Sequence, residues 1–439
     1  MYDLIIEDGT ILSASGRTVA DIAVEGGEIV YVGSRPAGGA KLRVSAIGRF
    51  VAPGLIDTHV HFRDPGHSAK EDWASGSRAA VSGGVTTVCD MPNTRPPTIS
   101  VEAWHEKAAI ARERSRVNFG IWFGAAAGRV DEARAMVDEG PACGLKVFMG
   151  ASTGPLLVDD ATLVELFRRT SGLMGVHAED EGTLQGLREE WAGRTPPSHH
   201  DARPARAAVV AVERLVELTR AFPRPVHICH VSTAAEIAVL EAVRDELSIT
   251  TEVSPHHLWL NNEDPLGNLG KVNPPLRPES DRRALWTALR RGLLDTVGSD
   301  HAPHTLEEKA LSYHEAPAGI PSVELTFSLL MAAVKHGRMS MERLVQMTSE
   351  VPAARFGFSR KGKVKVGFDA DLVVFREQEL VELATLKLLT RVGWSPFGSQ
   401  RGSPKPERVF VGGRLVSHNG TLVDDEGRGR LVSPTREAS

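Results

Sequence analysis

The chain has 439 residues, and its 51 Lys and Arg against 56 Asp and Glu leave a formal net charge of −5 at pH 7. This length accommodates one large barrel domain with an accessory domain. No block of like charge suggests a nucleic-acid or membrane surface, and no apolar run approaches the ~18 residues of a membrane span, so we expect a small-molecule partner.

The first residues and the cysteines indicate a reducing compartment. The N-terminal stretch MYDLIIEDGTILS carries acidic residues too early for a signal peptide. Cys89, Cys143 and Cys229 are odd in number, widely spaced and set in apolar surroundings, which argues against a disulfide framework. We therefore predict a cytoplasmic protein with no nucleic-acid or membrane partner, in which the cysteines are small core residues.

Three kinds of sequence pattern follow one another along the chain. Residues 1–52 read as short strands broken by Asp-Gly and Gly-Gly turns, which predicts the first part of a β-sandwich. Residues 53–364 alternate short apolar strands with helical stretches such as 204–222 and 233–247. This alternation favours an α/β fold, a (β/α)8 TIM-like barrel forming a metal-dependent hydrolase domain. Strand patterns return in 365–427, and 428–439 are expected to be a polar tail. The small β-sandwich domain is thus built from both termini.

Metal-capable residues stand at the ends of several predicted barrel strands. His59 and His61 end the first strand, and their spacing of two places both side chains on one strand face. The stretches GLMGVHAED, PVHICHVS and LLDTVGSDHAPH deliver His177, His230 and Asp300. Because barrel enzymes place their chemistry at these strand ends, the joint pattern predicts a metal site. Taken singly, each histidine could equally be structural, and the string from Asp300 a capped turn before a helix.

Lys146 stands in an apolar strand, GLKVFMG, with no charge partner nearby in sequence. Lysines are almost never fully buried unpaired. If carbon dioxide adds to the amine, the carbamate becomes an anionic oxygen ligand that can bridge two divalent metals. The first ion would then be held by His59, His61 and Asp300. The second would be held by His177 and His230. The alternative is a lysine that extends to the barrel mouth.

Two metals at such a site predict amide hydrolysis. Bound cations lower the pKa of water from 15.7 to about 7 and so supply a bridging hydroxide near neutral pH. A metal also polarises the carbonyl under attack. Asp300 can then accept the proton of the attacking water and deliver it to the departing nitrogen, which makes it the predicted catalytic proton shuttle.

The chain resembles the cyclic amidohydrolases of the amidohydrolase superfamily, and among them most closely the dihydroorotases. The resemblance covers nearly the whole chain and rests on GLIDTHVHFRDPG, GGVTTVCDMPNTRPPT, GLKVFMGASTG, HAEDEG, SPHHLWL, KVNPPLR and SDHAPHTLEEK. It implies a zinc-dependent hydrolase that interconverts (S)-dihydroorotate and N-carbamoyl-L-aspartate in de novo pyrimidine (UMP) biosynthesis. Some dihydroorotases use an aspartate or a single metal. Here GLKVFMGASTG resembles the branch with two zinc ions bridged by a carboxylated lysine, at position 146.

The same resemblance assigns residues to the substrate. It implies that Arg63, Asn93 and His304 bind the carboxylate of dihydroorotate. It also implies that Asn273 and the backbone near Gly319 and Pro321 contact the ring. The stretch EEKALSYHEAPAGIPSVE, residues 307–324, carries Gly, Pro and charge. We expect this loop to be a lid or a pocket wall.

The residues themselves leave alternatives for two of these assignments. Arg63 offers a planar guanidinium suited to a carboxylate. It could instead pair with Asp64, Glu71 or Asp72 as a surface bridge, and Asn93 could be an ordinary turn residue.

Other functions also remain open. An allantoinase or a hydantoinase-like cyclic amidohydrolase would share the metal ligands, and only the carboxylate-binding residues favour a dihydroorotase. A non-catalytic dihydroorotase-like scaffold would lack at least one ligand, and none is missing from the sequence. The resemblance further implies a homo-oligomer and allows association with an aspartate transcarbamoylase.

Overall fold

The computed structural model describes residues 1–152, 156–196 and 198–435. Its strands, in chain order, are β1 Tyr2–Ser13, β2 Gly16–Glu25, β3 Glu28–Gly33, β4 Ala40–Ser45, β5 Phe50–Pro53, β6 Leu55–Val60, β7 Val85–Asp90, β8 Asn118–Ile121, β9 Phe123–Gly124, β10 Leu145–Phe148, β11 Met174–His177, β12 Val226–Ile228, β13 Ile249–Val253, β14 Thr296–Val297, β15 Leu372–Phe375, β16 Val381–Glu382, β17 Arg401–Gly402, β18 Arg408–Val411, β19 Arg414–His418 and β20 Thr421–Leu422. The α-helices are α1 Trp73–Ser82, α2 Val101–Arg114, α3 Val130–Arg134, α4 Asp160–Arg169, α5 Glu181–Glu190, α6 His199–Ala202, α7 Ala205–Ala221, α8 Ala234–Ala242, α9 Pro255–Trp259, α10 Glu279–Arg290, α11 Leu306–Lys309, α12 Thr326–Lys335, α13 Met341–Val345 and α14 Val351–Arg355.

Strands β6 to β14 form the barrel. β6, β7 and β8 pair in parallel, and a second parallel sheet runs in the order β9-β10-β11-β12-β13-β14. Only Trp122 separates β8 from β9, so the two act as one strand of the barrel. A parallel bridge between Val60, at the end of β6, and His301, after β14, joins the first strand to the last. The predicted (β/α)8 barrel is confirmed.

The barrel strands are short apolar runs because both of their faces are covered. Every residue of β10 and of β11 is buried, including the polar ones. The helices outside present one apolar face each. In α7 the buried positions Ala208, Ala211, Val212 and Leu215 follow the i, i+3, i+4, i+7 spacing of a single helix face.

Both ends of the chain build the second unit. Its nine-stranded sheet has the order β20-β19-β18-β15-β5-β1-β2-β3, with β4 also paired to β1. Between Ile6 and Gly9 the pairing of β1 with β2 shifts register, and across this shift the other neighbour of β1 changes from β4 to β5. Such an irregularity bends a strand, so the sheet folds over an apolar core of its own. The predicted β-sandwich from both termini is confirmed.

The segment between β15 and β18 leaves this sheet and packs on the barrel. Trp394 Nε1 donates to the carbonyl oxygen of His304 at 2.8 Å. The backbone N–H of Leu389 donates to the carboxylate of Glu324 at 2.8 Å. This part of the chain therefore lies against the loop that follows β14, close to the predicted site.

The C-terminal stretch also returns to the barrel. The N–H of Phe119 in β8 donates to the carbonyl of Arg430 at 2.9 Å, and the N–H of Val432 donates to the carbonyl of Phe119 at 2.8 Å. The described part of the predicted polar tail is thus bound along a barrel strand. Residues 436–439 of that tail lie outside the described residues.

The cysteines are buried and form no disulfides. Cys89, Cys143 and Cys229 are free and share one apolar cluster with Trp122 and Phe356. Burial raises the pKa of the Cys229 thiol to about 12, so this thiol is protonated at neutral pH. In the described ranges, no helix has the length and apolar character needed to cross a membrane.

Candidate active site

The C-terminal ends of the barrel strands bring most of the predicted site residues to one cavity. Those that line it are His59, His61, Arg63, Asn93, His177, His230, Asn273, Asp300 and Gly319. The other three predicted residues, Lys146, His304 and Pro321, do not line the cavity. Lys146 and His304 lie directly behind the lining, as the contacts below show.

The first group of ligands converges on one carboxylate oxygen. Asp300 Oδ1 lies 3.1 Å from His61 Nε2 and 3.3 Å from His59 Nε2. The ligand-capable atoms of the three residues all lie within 4.8 Å of one another, and all three side chains are buried. Two imidazole nitrogens and one carboxylate oxygen at this separation fit a divalent cation such as zinc.

The second group adjoins the first. His177 Nδ1 and His230 Nε2 face each other at 3.1 Å, and the ring of His230 lies 5.2 Å from that of His59 between centroids. Burial lowers the pKa of His59 and His177. It is also the main reason that the pKa of His61 and of His230 lies well below the usual value. Neutral imidazoles keep a lone pair for a metal, so the donor set fits a pair of ions.

Lys146 occupies the floor between these groups. Its side chain is 1% exposed, with Nζ 3.0 Å from Cys229 Sγ and 5.1 Å from the centroid of the Phe148 ring. Its charge acts on the pKa of the histidines in both groups and on that of Asp300. The alternative of a lysine that extends to the barrel mouth is therefore wrong. No carboxylate among the described residues forms an ion pair with this amine.

Outer hydrogen bonds fix the orientation of three ligand histidines. His59 Nδ1 lies 2.7 Å from Glu252 Oε1, His61 Nδ1 lies 2.7 Å from Asn93 Oδ1, and His177 Nε2 lies 2.9 Å from Glu179 Oε2. Each contact directs the opposite ring nitrogen inward. Asn93 is therefore more than a turn residue, because it accepts a hydrogen bond from a ligand histidine. Such outer partners orient the ligands of most protein metal sites.

Glu252 and Glu179 are site residues that the sequence analysis missed. Glu252 is fully buried in β13. Burial by itself would raise its pKa, but His59 and His227 hold the pKa well below its usual range. Glu179 is buried as well and also binds Arg203. An acidic residue inside a strand of otherwise β-branched residues, as in ITTEV, is the signal that would have identified Glu252.

Replacing Glu252 with glutamine is expected to weaken metal binding by about 10- to 100-fold, because His59 would lose its anionic hydrogen-bond partner. The measurement is the metal content of the purified variant after dialysis against a series of chelator concentrations. Glu263→Gln, at an exposed position, is the matched control. If Glu252→Gln kept its metal as firmly as the control, Glu252 would not orient the metal site.

Backbone strain is concentrated at the site. Arg63, His230 and Asp300 have positive φ angles of 62°, 37° and 47°. Non-glycine residues rarely adopt this region, and it costs on the order of 1–3 kcal/mol per residue. The fold thus holds one residue from each of three strand ends in a strained conformation that points its side chain at the cavity.

Arg63 is buried against the loop that follows β14. Its Nη2 lies 3.0 Å from His304 Nε2, and its Nε donates to the carbonyl of Pro303 at 3.3 Å. Burial lowers the pKa of Arg63 to about 10, so the guanidinium stays charged at neutral pH. Its hydrogen-bond partners are neutral groups, no carboxylate of the described residues forms an ion pair with it, and its side chain lines the cavity.

The surface bridge considered for Arg63 is wrong, because the three candidate acids have other partners. Asp64 pairs with Arg114 at 3.4 Å. Asp72 binds Arg391, and Glu71 accepts from Thr390. The guanidinium of Arg63 forms no ion pair with them.

His304 stands between cations. Arg63 contacts its Nε2, and Lys70 Nζ lies 3.1 Å from its Nδ1. Burial and the charges of Arg63, Lys70 and Lys309 lower the pKa of His304 far below its usual value. Glu308 offsets part of this charge, since it pairs with Lys70 at 2.7 Å, and the remaining excess of cations around His304 suits an anionic group on a ligand.

The ring-binding residues are only partly brought together. Asn273 Oδ1 lies 2.8 Å from His199 Nε2, which orients the amide at the cavity. Gly319 has φ 151°, and a Cβ there would lie 2.3 Å from the carbonyl oxygen of Ala302, so only glycine fits this close approach. Pro321, which the sequence analysis placed at the ring, is buried but lies outside the lining of the cavity.

Comparison with known proteins agrees with this geometry. The sequence pattern of the amidohydrolase family matches residues 50–416. A dihydroorotase of Methanosarcina acetivorans is 34% identical over 455 residues, covering 100% of this chain and 97% of the relative. An allantoinase of Rubrobacter xylanophilus is 35% identical over 450 residues, covering 99% of this chain and 98% of the relative.

The fold comparison adds a third enzyme name. The structure of an L-hydantoinase (dihydropyrimidinase) from Arthrobacter aurescens matches with a TM-score of 0.93 and 29% identity, covering 99% of this chain and 100% of that chain. Relatives of similar identity thus carry different names. The choice of substrate therefore depends on the residues of the pocket.

Proposed function

The chain belongs to the amidohydrolase family, and we propose that within it the protein acts as a dihydroorotase, which interconverts (S)-dihydroorotate and N-carbamoyl-L-aspartate in pyrimidine (UMP) biosynthesis. The observation that carries this proposal is the buried guanidinium of Arg63 at the edge of the metal-ligand cavity. A buried charge without a counter-ion is unfavourable. Asp300 and Asp90 act on this charge without forming an ion pair with it, so a carboxylate of the substrate would supply the direct counter-ion.

The competing rings lack this group. Dihydroorotate carries one carboxylate on its ring, whereas hydantoin and allantoin carry none. The charges of Arg63, Lys70 and Lys309 all act on His304, so the surroundings of Arg63 and His304 favour an anion. An uncharged ring placed there would leave Arg63 desolvated and unpaired.

We propose zinc as the metal, with two ions per chain bridged by a carboxylated Lys146. His59, His61 and Asp300 would hold the first ion, and His177 and His230 the second. When bound, such ions lower the pKa of water from 15.7 to about 7 and polarise the amide carbonyl. The carbamate would also remove the positive charge that Lys146 otherwise places among the ligand histidines.

The residues of the chain then divide the remaining work. Arg63 binds the carboxylate and, with Asn273, holds the ring so that its amide carbonyl faces the ligand cluster. Asp300 Oδ1 contacts His59 and His61, and its second carboxylate oxygen, Oδ2, accepts the proton of the attacking water. The same oxygen then donates this proton to the ring nitrogen as the C–N bond breaks.

Replacing Arg63 with glutamine tests the carboxylate assignment. We expect the KM for dihydroorotate to rise about 100-fold, because the substrate would lose a buried charge-assisted partner. The KM of Arg63→Lys should lie between that of the wild type and that of Arg63→Gln, since an ammonium keeps the charge but not the planar pair of donors. The measurement is steady-state hydrolysis of dihydroorotate and of dihydrouracil, the same ring without the carboxylate.

Dihydrouracil is the matched control substrate for this prediction. Its hydrolysis should be slow in the wild type, because it presents no carboxylate to Arg63, and it should not slow further in Arg63→Gln, where that buried charge is absent. If both substrates lost activity equally, Arg63 would support the fold rather than read the carboxylate.

We expect a homo-oligomer in the cytoplasm, with an aspartate transcarbamoylase as a candidate partner. These proposals rest on the likeness to dihydroorotases.

A further inference from the structure

We propose that Lys309 is a positioning residue that fastens the wall segment, residues 316–320, against the cavity and thereby sets the affinity for the ring. This inference rests on the proposed function for the identity of the ring. The fastening itself is a property of the protein alone. It can be measured without any substrate.

The contacts of Lys309 account for all of its hydrogen-bond donors. Its Nζ donates to the carbonyl oxygens of Lys271 at 3.1 Å, Pro317 at 3.0 Å and Gly319 at 3.1 Å. An ammonium group has three N–H donors, so each one has an acceptor. The N–H of Gly319 donates to the same carbonyl of Lys271 at 2.9 Å. The wall segment is therefore joined to Lys271 both directly and through Lys309.

The wall segment forms one side of the cavity. Ala318 and Gly319 both line it. Lys309 lies at the end of α11, in the same stretch of chain as Asp300 and His304. Ile320 pairs directly with the chain after Asp300, since the N–H of Ala302 donates to its carbonyl at 2.9 Å, and Lys309 adds bonds to Pro317 and Gly319 on the part of the segment that lines the cavity.

Trp394 contacts both Lys309 and the chain that carries His304. The ring centroid of Trp394 lies 6.0 Å from Lys309 Nζ, and Trp394 Nε1 donates to the carbonyl of His304. Lys271 fastens the preceding residues, since its Nζ donates to the carbonyls of Tyr313 and Ala316 at 2.5 and 2.6 Å. The segment expected to be a lid or wall is thus held in place as a wall.

The position is unfavourable for a charge, which argues that the donors are needed. Lys309 is 3% exposed, and among the described residues no carboxylate forms an ion pair with it. Burial lowers its pKa to about 7, with smaller contributions from the charges of Lys271 and Arg63 and an opposing one from Glu308. A methionine of similar length would avoid this desolvation but could not bind the three carbonyls.

Hydrogen exchange tests the fastening directly. In Lys309→Met, the backbone amides of residues 311–320 should exchange at least about tenfold faster than in the wild type, because their anchoring bonds are lost. Lys309→Arg should restore part of the protection, and Lys335→Met, at an exposed lysine paired with Glu379, should change nothing in this segment. Unchanged protection of 311–320 in Lys309→Met would overturn the proposal.

Kinetics test the consequence for the ring. We expect the KM of Lys309→Met for dihydroorotate to rise about tenfold or more, with kcat within about threefold of the wild type and the metal content unchanged. A fall in kcat with loss of metal, or a lower Tm with an unchanged KM, would overturn the role in positioning. If Lys309→Met does not fold, hydrogen exchange and KM are measured on Lys309→Arg and Lys271→Met instead.

The two proposals can fail separately. If the wild type hydrolyses a different ring, the proposed function is wrong, and the KM comparison is then made with that ring. If the wild type hydrolyses dihydroorotate but Lys309→Met shows normal exchange and a normal KM, only the inference about Lys309 is wrong.

Discussion

Asp300→Asn is expected to lower kcat about 10³-fold while the fold and most of the bound metal are retained. The amide oxygen of asparagine can still face His59 and His61, which Asp300 Oδ1 now contacts at 3.3 and 3.1 Å. The amide cannot accept the proton of the attacking water. Asparagine also tolerates the positive φ of this position, so the backbone should remain as it is.

The measurement is kcat together with metal content and a circular dichroism spectrum of the same sample. Asp160→Asn, at an exposed aspartate paired with Arg214, is the matched control. Turnover close to that of the wild type, with metal bound, would show that Asp300 does not carry the proton.

Lys146→Ala is expected to lose at least one metal ion and to lower activity by several orders of magnitude. The side chain is buried against Cys229 and Phe148, so its removal leaves a cavity and would remove the proposed bridging ligand. A short carboxylic acid such as acetate or propionate, added with the metal, can occupy that cavity and replace the carbamate. We therefore expect partial rescue, measured as activity against acid concentration.

The control for this prediction is Lys335→Ala, which should keep both metal and activity and show no response to acetate. If Lys146→Ala retained the full metal content, the lysine would not be a ligand. If it lost metal but showed no rescue, the cavity would not admit a carboxylate.

The sequence predicted those features whose signals are local. The pattern of residues 204–222 predicted a helix that the structure places at Ala205–Ala221, because its apolar positions repeat at helical spacing. The four histidines that line the cavity were also identified from a local signal. Each ends an apolar strand, and parallel barrel strands bring their ends together.

The missed features depend on contacts between distant parts of the chain. Glu252 reaches His59 across 193 residues of sequence, and Lys309 reaches the carbonyl of Lys271 across 38. Nothing near either residue in sequence shows which atoms it will meet. The polar composition at the C-terminus suggested a tail, yet residues 429–432 bind β8 through backbone groups, and composition does not report such bonds.

One pattern predicted a longer element than the structure contains. Residues 233–247 suggested a continuous helix, but α8 ends at Ala242. Val243 leaves the helical conformation, and its N–H donates to Leu240 in a tighter turn. Helix ends are set by tertiary packing as much as by local preference, so their positions are the least predictable part of a helix.

We propose that this amidohydrolase opens the ring of dihydroorotate. The most direct test is to purify the protein with zinc and follow dihydroorotate by its ultraviolet absorbance, with allantoin and hydantoin assayed beside it. We predict turnover of dihydroorotate alone. Turnover of allantoin or hydantoin instead would contradict the assignment of Arg63 to a substrate carboxylate, and no turnover of any ring with metal bound would indicate a non-catalytic scaffold.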